Sequence, residues 1–268
     1  VGPRRGAPDV PATARALDLP GHVVIPGLVN VHTHTILTMV RGVAEDMGFA
    51  PAYTPGVPHG HEVSPQEAVA LARLGALEAL LFGSTLINDS YVHADVTLPA
   101  MEAVGLRVTA CSRIHDVDFS RVHLGEWTHS ERIGAQTFAA AVDLFERWDG
   151  KANGRIGVQM TPHAPDTCSR ALLEEIGRFA APKGIRVATH LSQSRLENRR
   201  IQDREGSTPT ELLEATGLLN DRLIAAHGIY MSDSDIARAG RAGAARAAPS
   251  RRAPRNDRSR GRSRSRSC

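Results

Sequence analysis

Cysteine is scarce in this chain, and the three present, Cys111, Cys168 and Cys268, show no paired spacing. That argues against a disulfide framework and makes a reducing, cytoplasmic setting the expectation. No run of about 18 apolar residues occurs, so no transmembrane helix is expected. The chain has no Gly-x-Gly-x-x-Gly fingerprint, Walker loop or Ser-His-Asp context, which removes the common nucleotide-binding and serine-hydrolase readings. It opens Val1-Gly2-Pro3-Arg4-Arg5, with neither Met nor a signal-peptide pattern, and reads as a fragment entered mid-gene.

The 268 residues are enough for one large domain or two small ones, and 41% hydrophobic residues suit a globular protein. The net charge of +3 hides a division. Residues 241–268 hold ten of the 32 basic residues and a single acid, Asp257, which leaves 22 basic and 28 acidic residues in 1–240. The body is acidic, so the basic balance gives no reason to read it as nucleic-acid binding.

Apolar β-rich runs alternate with helical patterns along the body. Strands are expected at 29–34, 84–89, 107–113, 156–161, 185–191 and 223–227, six in all. Residues 35–64, rich in Gly and Pro, read as a long loop. Ser64, Pro65 and Glu67 form the start signal of a helix. Further helices are expected at 98–104, 131–148, 169–181, 193–203, 209–216 and from 232. This alternation predicts a parallel sheet rolled into a barrel with its chemistry at the C-terminal strand ends.

The first strand ends in His32-Thr33-His34. Alternate side chains of a strand share a face, so the two imidazoles converge, which is half of a transition-metal site. The plainer reading is two solvated histidines near a turn. The flanking Pro26-Gly27-Leu28-Val29-Asn30 favours the metal.

With that flank, the segment resembles the amidohydrolase superfamily, most closely its branch of cytosine, guanine and S-adenosylhomocysteine deaminases and triazine hydrolases. The resemblance runs from about Asp18 to about Gly240 and rests on several motifs in order. It implies an α/β fold: a TIM-type (β/α)8 metal-dependent hydrolase barrel, here incomplete at about six strands, with a remnant of an N-terminal β-sandwich. The expected division is 1–22 as that remnant, 23–240 as the barrel and 241–268 as an Arg/Ser-rich tail. The tail lacks the family's seventh-strand His-x-Pro-x-Ser-Asn and its eighth-strand Asp. A frameshift near residue 242 in a GC-rich gene is the expected cause.

The resemblance supplies the remaining site residues. His190, in Thr189-His190-Leu191-Ser192, and His227, in Ala226-His227-Gly228, match the third and fourth metal histidines. With His32 and His34 they make a nitrogen set suited to one divalent ion, Zn²⁺ or Fe²⁺. Such an ion makes water nucleophilic near neutral pH by lowering its pKa to roughly 7. The family places a Glu three residues after the strand-five histidine; this chain has Gln193, which can orient a substrate but cannot carry a proton near pH 7. Glu197, a turn later, reads as an ordinary helix-face carboxylate.

Thr161-Pro162-His163-Ala164-Pro165-Asp166 resembles the family's Pro-His-Ala-Pro-Tyr segment, so His163 is expected to contact substrate and Asp166 stands in place of Tyr. His115 either lines the pocket or is solvated. Arg41-Gly42 with Glu45-Asp46 reads as a loop over the pocket. His59, His61, His93, His123 and His129 read as surface residues. Cys111 reads as strand packing, and Cys168 is not placed as a nucleophile.

The implied activity is hydrolysis of carbon–nitrogen bonds other than peptide bonds, by deamination of a heteroaromatic ring of purine, pterin, pyrimidine or triazine type. Gln193 and Asp166 tilt the substrate toward oxopurines or pterins. The expected partner is a small heterocycle, with no membrane and no nucleic acid; the family is commonly homodimeric. Two alternatives stand beside this: a catalytically inactive barrel fragment, and RNA binding through the Arg/Ser tail, which lacks interleaved aromatics.

Overall fold

A computed structural model of the chain describes residues 9–15, 17–43 and 62–246. The expectations placed on Glu45, Asp46, His59, His61 and residues 247–268 lie outside the described residues.

Among the described residues, eight parallel strand segments form the wall: β1 (Leu28–Thr33), β2 (Ser84–Tyr91), β3 (Arg107–Ile114), β4 (Ile156–Val158), β5 (Thr161–Pro162), β6 (Val187–Leu191), β7 (Leu223–His227) and β8 (Ala245–Arg246). They follow one another in chain order, β1-β2-β3-β4 and β6-β7-β8, with β5 on β3. A parallel bridge between Met160 and Val187 joins the two runs. Sequential parallel strands with helical connections are the arrangement of a TIM-type barrel wall. Among the described residues β1 pairs only with β2, and β8 only with β7.

The strand expected at 156–161 is split, and the hydrogen bonds show why. The Gln159 N–H still donates to Ala110 of β3 at 3.0 Å, but the Met160 N–H turns away to Arg186 at 3.0 Å. Met160 thus bonds the start of β6, while the chain on either side of it, at Gln159 and at Thr161–Pro162, pairs with β3. The pair Ala245–Arg246, bonded to Ile224 and Ala225, adds a strand beyond the six expected. Before Leu28, the described residues include no strand, and Val23, Val24 and Ile25 are exposed, so the expected sandwich remnant does not appear as a sheet.

The helices are α1 (Pro65–Leu81), α2 (Ala94–Val104), α3 (Phe119–Val122), α4 (Glu131–Trp148), the turn α5 (Lys151–Gly154), α6 (Arg170–Ala180), α7 (Arg195–Glu205), α8 (Pro209–Ala215) and α9 (Asp233–Arg241). Most begin on a hydroxyl cap. Ser64, Ser130, Ser169, Ser194, Thr208 and Ser232 each accept a backbone N–H of the first turn through the side chain. Each such cap contributes about 1 kcal/mol. Ser64 and Glu67 form the reciprocal capping box that the sequence announces. α2 starts four residues before the expected Leu98, directly after His93, whose φ is 60°. α9 runs to Arg241, so regular structure continues past Gly240.

The start of the expected loop at 35–64 is instead a 3-10 turn, Thr35–Val40. It packs on α1 through small residues: Ala68, Ala72 and Ala76 are fully buried, and a Cβ at Gly75 would lie 2.7 Å from the Thr35 carbonyl oxygen. The core falls in two clusters. One, with Ile36, Ile87, Leu98, Met101 and Leu106, lies under β1 to β4; the other, with Met160, Leu173, Ile176, Leu191 and Leu213, lies under β5 to β7. No helix among the described residues is long and apolar enough to cross a membrane.

Candidate metal centre

His32 is in β1 and His34 immediately follows it; His190 is in β6 and His227 ends β7. The ring nitrogens of His32, His34 and His190 lie within 4.8 Å of one another. The His227 ring stands 5.2 Å from that of His32 and 5.3 Å from that of His190, centroid to centroid, stacked on the latter. All four histidines singled out from the sequence therefore meet at one end of the barrel wall. His227 takes φ 71°, and Ser192, two residues after His190, takes φ 47°. Such left-handed conformations are uncommon outside glycine and concentrate at functional sites.

A hydrogen bond fixes the orientation of the His190 imidazole. His190 Nδ1 lies 2.5 Å from the His163 carbonyl oxygen. A carbonyl can only accept, so Nδ1 carries the proton and Nε2 presents a lone pair. His34 Nδ1 is buried with no hydrogen-bond partner among the described residues, and its Nε2 faces His190. The two Nε2 atoms lie 3.2 Å apart. Without a bound cation this spacing is that of an N–H···N bond from His34 to the His190 lone pair; with the His34 proton on Nδ1, both lone pairs face one point. Two nitrogens bound tetrahedrally to one zinc at about 2.0–2.1 Å would stand about 3.3–3.4 Å apart. The donor set therefore fits a divalent ion.

The electrostatics agree. Burial, with His227 beside it, pushes the His32 pKa down to about 4. Burial, His32 and Arg113 push His34 down to about 3. His190 is lowered well below its ordinary value by burial and its histidine neighbours, and His227 is lowered by burial. The cluster is thus neutral at pH 7, the state in which imidazole binds metal.

The surrounding wall is aromatic and cationic. The His163 ring stands 4.8 Å from His190 and 5.2 Å from Phe119, and its Nδ1 is 2.9 Å from Thr167 Oγ1. Arg113, buried, stacks over Phe119 at 4.4 Å and Tyr91 at 5.0 Å. His115 is buried against Phe119 at 4.7 Å, which favours the pocket-lining reading over the solvated one. Arg41 grips Glu78 of α1 through two bonds of 2.6 and 2.5 Å, at a cavity of about 700 Å³ that also meets His34.

Residues 23–265 match the amidohydrolase family. The chain belongs to that family. This amidohydrolase is 33% identical over 239 residues to a 5-methylthioadenosine/S-adenosylhomocysteine deaminase of Symbiobacterium thermophilum, covering 88% of the chain and 52% of the relative. It is 32% identical over 228 residues to a 5'-deoxyadenosine deaminase of Methanosarcina barkeri, covering 85% and 50%. Among solved structures, an adenosine deaminase from Xanthomonas campestris with bound zinc matches with a TM-score of 0.68 and 27% identity, over 82% of this chain and 48% of that one. A triazine hydrolase variant, at 22% identity and a TM-score of 0.70 over 82% and 52%, is alike in fold. The chain spans about half the length of the curated relatives it matches.

Three sequence readings need correction. Glu197 is not an ordinary helix-face carboxylate: it is 1% exposed and accepts the N–H groups of Ser192 and Gln193, each at 2.8 Å. Its pKa is pushed up by burial and by Asp166. His129 is not simply solvated: its Nδ1 lies 2.5 Å from Asp116 Oδ1, and its Nε2 accepts from Arg204 at 2.9 Å. His93 is half-buried at the N-cap position of α2, where its side chain makes no cap bond, rather than fully on the surface. His123 is exposed, as expected. Gln193 is half-buried with its backbone held by Glu197. Asp166 is buried and paired with Arg200 at 3.2 Å, which stacks on Trp127 at 3.4 Å.

Asp89 went unseen in the sequence reading. It is buried in β2, accepts the Thr35 N–H at 2.7 Å, and has its pKa pushed up to about 6 by burial. Its signal was an acid inside an otherwise strand-like run, Leu86-Ile87-Asn88-Asp89.

Proposed function

We propose that this amidohydrolase carries the metal-holding part of a deaminase for adenine-type nucleosides. The observation that carries the reading is the convergence of His32, His34 and His190, with His227 beside them. The activities for which the relatives are named add the substrate class: 5-methylthioadenosine, S-adenosylhomocysteine and 5'-deoxyadenosine all bear an adenine ring. They favour adenine over the oxopurine or pterin to which Gln193 and Asp166 pointed.

His32, His34, His190 and His227 would hold the ion, and zinc is proposed on the nitrogen donor set. When bound, a divalent ion would lower the pKa of a water molecule and so supply a nucleophile at neutral pH. The protein's own residues do the rest. His163, with Nδ1 engaged by Thr167, offers Nε2 to the substrate. Burial keeps this imidazole neutral, so it hydrogen-bonds without adding charge. Gln193 binds a ring nitrogen through its amide and takes no part in proton transfer. The aromatic faces of Tyr91 and Phe119 exclude water from the wall. A reducing, cytoplasmic setting belongs to the same proposal, supported by the buried free thiols of Cys111 and Cys168.

A second reading is favoured by the chain's half-length coverage of its relatives and by the outer sides of β1 and β8, which no strand covers among the described residues. In it, the chain binds metal but does not turn over. The discriminating experiment is to incubate zinc-loaded protein with 5'-deoxyadenosine and follow conversion of the adenine chromophore and ammonia release. Turnover that disappears in His190→Ala supports the first reading. Zinc binding without turnover supports the second, and no zinc binding rejects both.

A further inference from the structure

The loops after the two facing histidines share a feature. His34 is followed by a turn whose first N–H, that of Thr35, donates to buried Asp89 at 2.7 Å. His190 is followed by a turn whose N–H groups at Ser192 and Gln193 donate to the two oxygens of buried Glu197, each at 2.8 Å. In both places a carboxylate sealed from solvent grips backbone amides within three residues of the histidine. Burying a carboxylate is costly, and hydrogen bonds to backbone donors are what make it tolerable.

We infer that Asp89 and Glu197 are positioning residues that lock the turns after His34 and His190 and so set the spacing of their Nε2 atoms. The inference rests on the metal reading of the cluster and deepens it. Glu197 spans two consecutive amides, which holds Ser192 at φ 47°. Without that grip the β6 end would relax toward negative φ, swinging Gln193 and loosening His190. Asp89 acts in the same way from β2, and Gly75 lets the clamped turn press against α1. Neither carboxylate needs to touch the ion. Each acts through backbone, as partners outside the ligand shell do in metal sites.

A control exists within the same chain. Asp235 is also a buried carboxylate holding a turn: it accepts the Ser232 N–H at 3.1 Å and the Thr208 hydroxyl at 2.6 Å, between α8 and α9. It serves stability without serving the histidines.

The test is a zinc titration of the full chain against a competing chelator, with the absorption spectrum of the cobalt-loaded protein as second readout. Asp89→Ala removes the acceptor of the Thr35 N–H, and Glu197→Gln keeps shape but turns one of its two accepting oxygens into a donor. Both are expected to weaken zinc about 10–100-fold and to alter the cobalt spectrum. Asp235→Asn is expected to lower the melting temperature with zinc affinity and spectrum unchanged. Should Glu197→Gln fail to fold, Ser192→Gly frees the turn while tolerating its positive φ, and it is expected to weaken zinc several-fold. Variants at Asp89, Glu197 or Ser192 that bind as tightly as wild type, or an Asp235→Asn that weakens zinc equally, overturn the inference while leaving the metal reading intact. A wild-type chain that binds no zinc overturns both.

Discussion

The Nε2 atoms of His34 and His190, 156 positions apart in the chain, lie 3.2 Å from each other. The proton on His190 Nδ1 is fixed by the His163 carbonyl, so the lone pair faces inward. This contact ties β1 to β6 across the barrel wall and turns a list of histidines into a coordination set.

Acid should unfold the metal-free protein early. The pKa of His32 is lowered to about 4, and those of His34 and His115 to about 3, mainly by burial, from an unfolded value of 6.5. His163, His190 and His227 shift the same way. As pH falls below 6.5 the unfolded chain takes up protons that the folded chain refuses, so stability drops toward pH 4. The raised carboxyls of Asp89, Asp166 and Glu197 oppose this but are outnumbered. Above 6.5 the raised carboxyls, and at higher pH the raised thiols of Cys111 and Cys168, hold protons in the folded state that the unfolded chain releases, so stability declines gently. The melting temperature of chelator-treated protein is expected to peak near the histidine value; a steady rise as pH falls from there would contradict it.

Gly75→Ala should destabilise the fold by about 1–3 kcal/mol, the usual cost of overpacking a tight contact. The added methyl would meet the Thr35 backbone at 2.7 Å. Gly157→Ala, where a Cβ meets nothing within 4 Å, serves as the comparison and is expected to be near neutral. Urea denaturation of both variants checks the pair, and equal midpoints would refute the close-packing account of the turn after His34.

Gln193→Glu supplies a titratable group beside the cluster. Positioned acid–base groups contribute roughly 10²–10⁴-fold to rate, so turnover of an adenine nucleoside by zinc-loaded protein is expected to rise at least about tenfold. Steady-state kinetics should show the gain in kcat rather than in KM. A rate unchanged or reduced would mean that proton transfer is not what Gln193 withholds.

Local signals carried much of the fold. Ser64 with Glu67, and Ser169, announced their helices, because capping is a short-range bargain between neighbours. His32-x-His34 was legible because a strand's two-residue period is itself local. What stayed hidden was decided across the barrel. The split after Val158 lies where Met160 bonds Arg186, far along the chain, while Gln159 and Thr161 on either side stay with β3. Glu197 looked like any helix carboxylate because its burial comes from the turn after β6 folding back onto α7. His129 looked solvated because its partners, Asp116 and Arg204, come from β3's exit and from α7. The 3-10 turn at Thr35–Val40 depends on Gly75, in a different element.

The most direct test of the account is zinc stoichiometry. Metal-depleted protein, titrated with zinc against a chelator of known affinity, should bind one ion per chain. His34→Ala and His190→Ala should each weaken that binding by at least about 100-fold, beyond the loss typical of residues outside the ligand shell. Wild-type protein that takes up no zinc, or histidine variants that bind it as tightly as wild type, would contradict the metal centre and the function built on it.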